Sequence, residues 1–307
     1  MSTADPADLR RWSALLAAVR NVPATPLKTL ITGGIGTGKS SLLAEIRNIL
    51  RNTGIDVRSR PPTDGDTAVA VVVDDAHLLP AEDLRALTAL VSEPTATVLV
   101  AAEARDAVPA LRELMTAIER ENPRLALRPL PRTEVAAHTD PQDTARVNQI
   151  VSATAGLPFL VAAARTAAAA DVATVVQNAL TERLRRTDGP LLDTLLVTSL
   201  SPDLGPTDVA AALSIDLDAA QSLVTSAHAT GLLDPAHGAE FLTTVHDAAA
   251  RIVGTARHRD LENALLRTQL EMDTLAAELA LRLAEHGVRD HGLVTALRGE
   301  AARTRSG

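Results

Sequence analysis

Residues 30–41 read Leu-Ile-Thr-Gly-Gly-Ile-Gly-Thr-Gly-Lys-Ser-Ser, in which Gly33, Gly38, Lys39 and Ser40 complete the spacing Gly-x-x-x-x-Gly-Lys-Ser. Few folds accept that spacing. The glycines let successive backbone N–H groups turn towards one point without Cβ clashes, and a helix starting at the lysine adds the positive end of its dipole. Such a loop belongs between a strand and a helix, and its flanks agree. Residues 29–32 are apolar-rich, and Leu42, Leu43, Ile46, Ile49 and Leu50 recur at helical spacing. Only two lysines, Lys28 and Lys39, occur among the 30 basic residues, so a composition that favours arginine keeps lysine where this loop needs it.

The spacing predicts a phosphate cradle. Gly33, Gly34, Ile35, Gly36, Thr37 and Gly38 would wrap the phosphates, Lys39 would reach the β and γ groups, and Ser41 would join the nucleotide contacts from the first turn of the helix. Ser40 would offer its hydroxyl to Mg²⁺. A second half of the site is expected at residues 69–77, Val-Ala-Val-Val-Val-Asp-Asp-Ala-His. An unbroken β-branched run suits a strand buried on both faces of a parallel sheet, whose C-terminal end is where such sheets bind ligands. Asp74 is then the second metal-holding group, and Asp75 stands where a catalytic carboxylate would orient the attacking water. An aspartate reaches less far than a glutamate, which predicts slow hydrolysis. The alternative is that both aspartates only end the strand and cap a helix from residue 81.

At 307 residues the chain can bury more than one core, and with 46% hydrophobic but only 1% aromatic residues those cores must be built from Leu, Val, Ile and Ala, a mix that favours helices. The absence of cysteine excludes disulfides, thiol chemistry and Cys-based zinc sites. The eight histidines show no His-Glu-x-x-His spacing, so no metal besides Mg²⁺ is expected. A net charge of −8 argues against a protein that coats nucleic acid. No run reaches the length of a membrane span and the N-terminus lacks a signal-peptide pattern, so a cytoplasmic protein with no membrane partner is expected.

The pattern along the chain predicts an N-terminal helix and linker over residues 1–26, then a nucleotide-binding domain over 27–140. Strands are expected at 29–32, 55–57, 68–73, 97–101 and 125–127, alternating with helices, hence a parallel sheet covered on both faces. A helical lid follows over 141–188. Two short helices and a hairpin, with strands at 231–233 and 240–244, predict a winged helix over 189–255. A helical segment broken near Gly287 completes the chain over 256–307.

Taken together, these residues resemble the signal-transduction ATPases with numerous domains, the STAND class, and within it the ATPase modules of large LuxR-type transcription regulators. The resemblance spans about residues 27–300. It rests on Gly-Gly-Ile-Gly-Thr-Gly-Lys-Ser-Ser at 33–41, Val-Val-Val-Asp-Asp-Ala-His-Leu-Leu at 71–79 and Arg-Leu-Ala-Leu-Arg-Pro-Leu-Pro-Arg-Thr-Glu-Val at 124–135. It implies ATP or ADP as ligand. Pro158 in Gly-Leu-Pro-Phe at 156–159 looks like the proline that packs on adenine, and His246 in Val-His-Asp at 245–247 like the histidine that contacts the β-phosphate of ADP. Arg105 looks like the arginine that reads the γ-phosphate. Read without the resemblance, these three are a helix breaker, a solvated or capping histidine and a surface arginine. The Gly-Arg-x-x-Glu element that clamps adenine in that class is absent. Relatives continue into helical repeats and a DNA-binding helix-turn-helix, so DNA or the transcription machinery would be met outside this chain, with self-association in the ATP state. The rival expectation is an AAA+ or origin-loader-like machine acting on DNA or protein, with Arg120 or Arg124 as a finger supplied in trans. A nucleotide-binding scaffold without turnover is the third.

Overall fold

The computed structural model describes residues 6–61, 70–103, 108–139 and 142–306. Two compact units result, one of Met1–His138, Gly156–Phe159 and Ala229–Gly231, the other of Thr139–Ala155, Leu160–His228 and Leu232–Gly307.

The first unit runs α1 (Pro6–Asn21), β1 (Lys28–Thr32), α2 (Lys39–Asn52), β2 (Val57–Arg58), β3 (Ala70–Val73), α3 (Ala81–Val91), β4 (Thr97–Ala102), α4 (Pro109–Glu121), β5 (Leu125–Ala126) and α5 (Arg132–Ala137). All five strands pair in parallel, in the order β2-β3-β4-β1-β5. Successive strand residues point to opposite faces, and here both faces are apolar. Leu30, Val71, Val73, Val98 and Val100 pack with Leu84, Leu87, Leu111 and Leu114 of α3 and α4. Their neighbours Ile31, Val72, Leu99 and Ala101 pack with Leu16, Leu42, Leu43 and Ile46 of α1 and α2. This is the α/β P-loop NTPase arrangement expected from the sequence. Strand β2 is shorter and later than expected, because Gly54 (φ +82) and the Ile55 N–H bond to the Leu50 carbonyl use residues 54–55 to leave α2.

No strand occurs among the described residues of the second unit, which is built from α6 (Thr144–Thr154), α7 (Pro158–Arg165), α8 (Val172–Leu184), α9 (Gly189–Thr198), α10 (Pro206–Leu213), α11 (Leu217–Ala229), α12 (Ala239–Val253), α13 (Thr255–Glu271), α14 (Ala277–Glu285) and α15 (His291–Ser306). Helix α7 starts on the Pro158 that belongs to the first unit. Helix α12 packs on α6, α8, α9 and α13.

The wing expected from the sequence does not form. Gly231 (φ +72) leads into a turn instead of a strand, and residues 240–244 lie in α12. Phe241, Val245, Ala248 and Ala249 recur at the spacing of one helix face and all are buried. Thr243 and Thr244, whose β-branching suggests a strand, turn their hydroxyls back to the Ala239 and Glu240 carbonyls. What survives of the winged helix is the pair α10 and α11, joined through Ser214 at φ +58. The C-terminal segment breaks twice, near Gly287 as expected and also at residues 272–276, where Asp273 adopts φ +53. No described helix is long and apolar enough to cross a membrane.

Candidate functional site

Strand β1 delivers the glycine loop to the C-terminal edge of the sheet, and α2 starts at Lys39 with Gly38 as its N-terminal cap residue at φ +101. Side chains other than glycine rarely adopt that conformation, nor the φ of +75 at Gly36. The Thr37 hydroxyl donates to the Gly34 carbonyl at 2.9 Å, which draws the loop tight. Lys39, only 5% exposed, donates to the carbonyls of Gly33 at 2.6 Å and Gly34 at 2.7 Å. The backbone N–H groups of Gly36, Thr37 and Gly38 have no acceptor among the described residues, so three consecutive donors line the cradle at the helix N-terminus. Ser40 and Ser41 are exposed on the first turn of α2.

Two distant segments close on this loop. The Thr230 carbonyl accepts from the Ile35 N–H at 2.7 Å, and a Cβ on Gly34 would stand 2.1 Å from that same oxygen. The ring of Phe159 lies over Gly36, where a Cβ would meet it at 2.2 Å. Its approach is set by Gly156 (φ +74), whose carbonyl accepts from the Leu130 N–H at 2.7 Å, and by Pro158 as the first residue of α7. Trp12 of α1 reaches Gly38, 3.3 Å from where its Cβ would be. The chain has only three aromatic residues, one Trp and two Phe, and two of them lie against loop glycines. Sequence reasoning singled out Pro158 and missed Thr230, Trp12 and Phe159. Scarcity of aromatics was the signal for the last two.

Strand β4 lies between β1 and β3, pairing Ala102 with Thr32 and Val100 with Val73. Immediately after β3, the Asp74 carboxylate accepts from the Asp75 N–H at 3.0 Å. Asp75 sits at φ +49, a left-handed position that aspartate tolerates better than most residues, and caps the turn at Ala76–Leu78 through its backbone, with no side-chain cap bond. One residue past β4 comes Glu103, 6% exposed, a carboxylate missing from the expected set. Its N–H donates to His77 Nδ1 at 3.3 Å, and His77 Nε2 is 3.8 Å from its Oε2. The visible clue was a single charge ending an apolar strand on the sheet's central position. Arg105 lies outside the described residues.

His246 lies in the second unit, on α12, and is 3% exposed. Its Nδ1 is 3.1 Å from the Leu196 carbonyl and 3.2 Å from Ser199 Oγ, while Nε2 is 3.2 Å from His258 Nε2. Both ring nitrogens are thus engaged inside that unit. Burial, followed by the neighbouring His286 and His258, pushes its pKa down to about 4. Burial works to raise the pKa of Glu262 beside it, but hydrogen bonds from His258 and His286 prevail and hold it at about 2. The Glu262 hydrogen bond raises the pKa of His286.

No family model matches the chain, and no curated protein matches it. Among solved structures, RuvB of Thermotoga maritima, described as a Holliday junction branch migration motor, is similar at 17% identity and TM-score 0.43, covering 73% of this chain and 88% of that one. A DNA polymerase III gamma subunit-related protein of the same organism is similar at 10% identity and TM-score 0.32, covering 72% of this chain and 98% of that one.

Proposed function

We propose that this chain is a nucleotide-operated switch of the P-loop NTPase class, of STAND type, which holds ADP in a closed form and opens with ATP and Mg²⁺. The observation that carries the reading is the Thr230 carbonyl on the Ile35 N–H, made from a residue almost 200 positions further along the chain. Nucleotide bound in the cradle and the closure of segments 156–159 and 229–231 over it involve the same few backbone groups. A ligand there has different affinities for closed and open forms, which is what a switch requires. Lys39 would exchange two neutral carbonyls for phosphate oxygens, a stronger charge-assisted pairing. Ser40 and Asp74 would hold Mg²⁺. Asp75 or Glu103 would orient water, Arg105 would read the γ-phosphate, and Trp12 and Phe159 would cover the ligand beside Pro158. Opening would free surfaces for self-association, as in the ATPase module of a transcription regulator.

The experiment is sedimentation of the protein with ADP and with ATP plus Mg²⁺. The switch predicts a monomer with ADP and a larger species with ATP; identical sedimentation together with equal affinity for the two nucleotides sinks it. The second reading is an AAA+ motor acting on DNA or protein. The pair α10 and α11 favours it, as a helix-turn-helix able to meet duplex. Turnover accelerated by duplex DNA would select that reading. The acidic start of α11, at Asp218, counts against it.

A further inference from the structure

Metal-ligating side chains gather where α12, α13 and α14 meet. His246 on α12, His258 and Glu262 one turn apart on α13, and His286 at the end of α14 each present one ligand atom, and the four atoms lie within 4.8 Å of one another. His258 Nε2 is 3.2 Å from His246 Nε2 and 3.0 Å from Glu262 Oε1, and that same oxygen is 2.5 Å from His286 Nδ1. Four ligands held about 2 Å from a tetrahedral ion stand about 3.3 Å apart; the contacts of 3.0 and 3.2 Å are near that value, and side-chain shifts of about 1 Å would bring the 2.5 Å pair and the widest pair to it.

Counting protons strengthens the case. The Leu196 carbonyl can only accept, so the His246 nitrogen beside it, Nδ1, carries the hydrogen and Nε2 has a bare lone pair. The Ser199 hydroxyl donates to the same carbonyl and leaves its own oxygen as a second acceptor for Nδ1–H. His258 Nε2, with one hydrogen at most, then faces two acceptors, His246 Nε2 and Glu262 Oε1. A cation at the common point would satisfy every lone pair at once. The backbone carbonyl on the far nitrogen of His246 is also the usual outer partner that fixes the tautomer of a metal-bound imidazole.

We propose that His246, His258, Glu262 and His286 form a four-ligand zinc site that fastens α12, α13 and α14 together. Three imidazoles and a carboxylate suit Zn²⁺, whereas Mg²⁺ and Ca²⁺ require oxygen donors. Four protein ligands leave no open position, so the site is structural and performs no hydrolysis. His246 cannot both ligate zinc through Nε2, donate to Leu196 through Nδ1 and contact a nucleotide phosphate.

The test uses tag-free full-length protein, stripped with chelator, freed of the chelator and titrated with Zn²⁺ against a chromophoric competitor, with excess Mg²⁺ present to occupy oxygen-only sites. The wild type should bind one Zn²⁺ per chain. His258→Ala and His286→Ala, both at partly exposed positions, should each weaken binding by more than about 100-fold, beyond the loss typical of outer-partner changes, with the helical circular dichroism retained. Substituting Co²⁺ separates binding from misfolding, because the intense visible bands of a four-coordinate site should appear in the wild type and vanish in His258→Ala. No saturable Zn²⁺ binding by the wild type, unchanged affinity in both variants, or a weak six-coordinate Co²⁺ spectrum would each overturn the proposal.

Discussion

The two units place chemistry in the chain in opposite ways. In the first, an anion is to be held by backbone N–H groups, and neighbouring N–H groups must come from neighbouring residues, so the site is a contiguous string at 33–41. In the second, the candidate ligands are side chains from three helices, with His258 12 positions after His246 and His286 24 positions after Glu262. Packing alone brings them together. The phosphate cradle is therefore local in sequence, whereas the backbone bond that Thr230 brings to it and the side-chain cluster of the second unit are not.

That contrast can be attacked from either side. The largest effect is expected from Phe241→Ala, which removes a fully buried ring from α12 and should destabilise the second unit by about 3–5 kcal/mol in denaturant unfolding. Next comes Thr243→Pro at an exposed position of α12. In a helix interior it should cost about 3 kcal/mol, whereas on the edge of a hairpin it would be tolerated, so near-wild-type stability would restore the wing. In the first unit, Lys39→Ala should weaken nucleotide binding by about 100-fold, the equivalent of about 3 kcal/mol for a charge-assisted contact, read by titration with fluorescent ADP. The smallest effect is expected from Gly34→Ala. Its new Cβ would stand 2.1 Å from the Thr230 oxygen, a backbone atom that cannot swing aside, so the Ile35–Thr230 bond should break. Losing about 1 kcal/mol should speed ADP release about fivefold in a stopped-flow displacement, and an unchanged rate would detach the closure from nucleotide retention.

Much of the first unit was legible in the sequence. The runs at 70–73 and 98–102 are apolar at every position because both faces of β3 and β4 are covered, and the periodicity after Lys39 is the buried face of α2. The closing contacts were not legible. Thr230 acts through its carbonyl, which every residue possesses, and Phe159 through a fit against Gly36 that no spacing announces. Residues 240–244 were misjudged because Thr243 and Thr244 favour strands locally, while the burial of Phe241, Val245, Ala248 and Ala249 is decided by helices elsewhere in the chain. As metal ligands the histidines leave no motif in the sequence, since spacing shows His258 and Glu262 one turn apart but not His246 and His286 arriving from other helices.

The most direct test of the switch is the nucleotide content of the purified, unsupplemented protein, released by denaturation and resolved by ion-exchange chromatography. The account predicts close to one ADP per chain, retained by the cradle and by the closure of segments 156–159 and 229–231. An empty cradle that takes up neither ADP nor ATP with Mg²⁺ when they are added would contradict it.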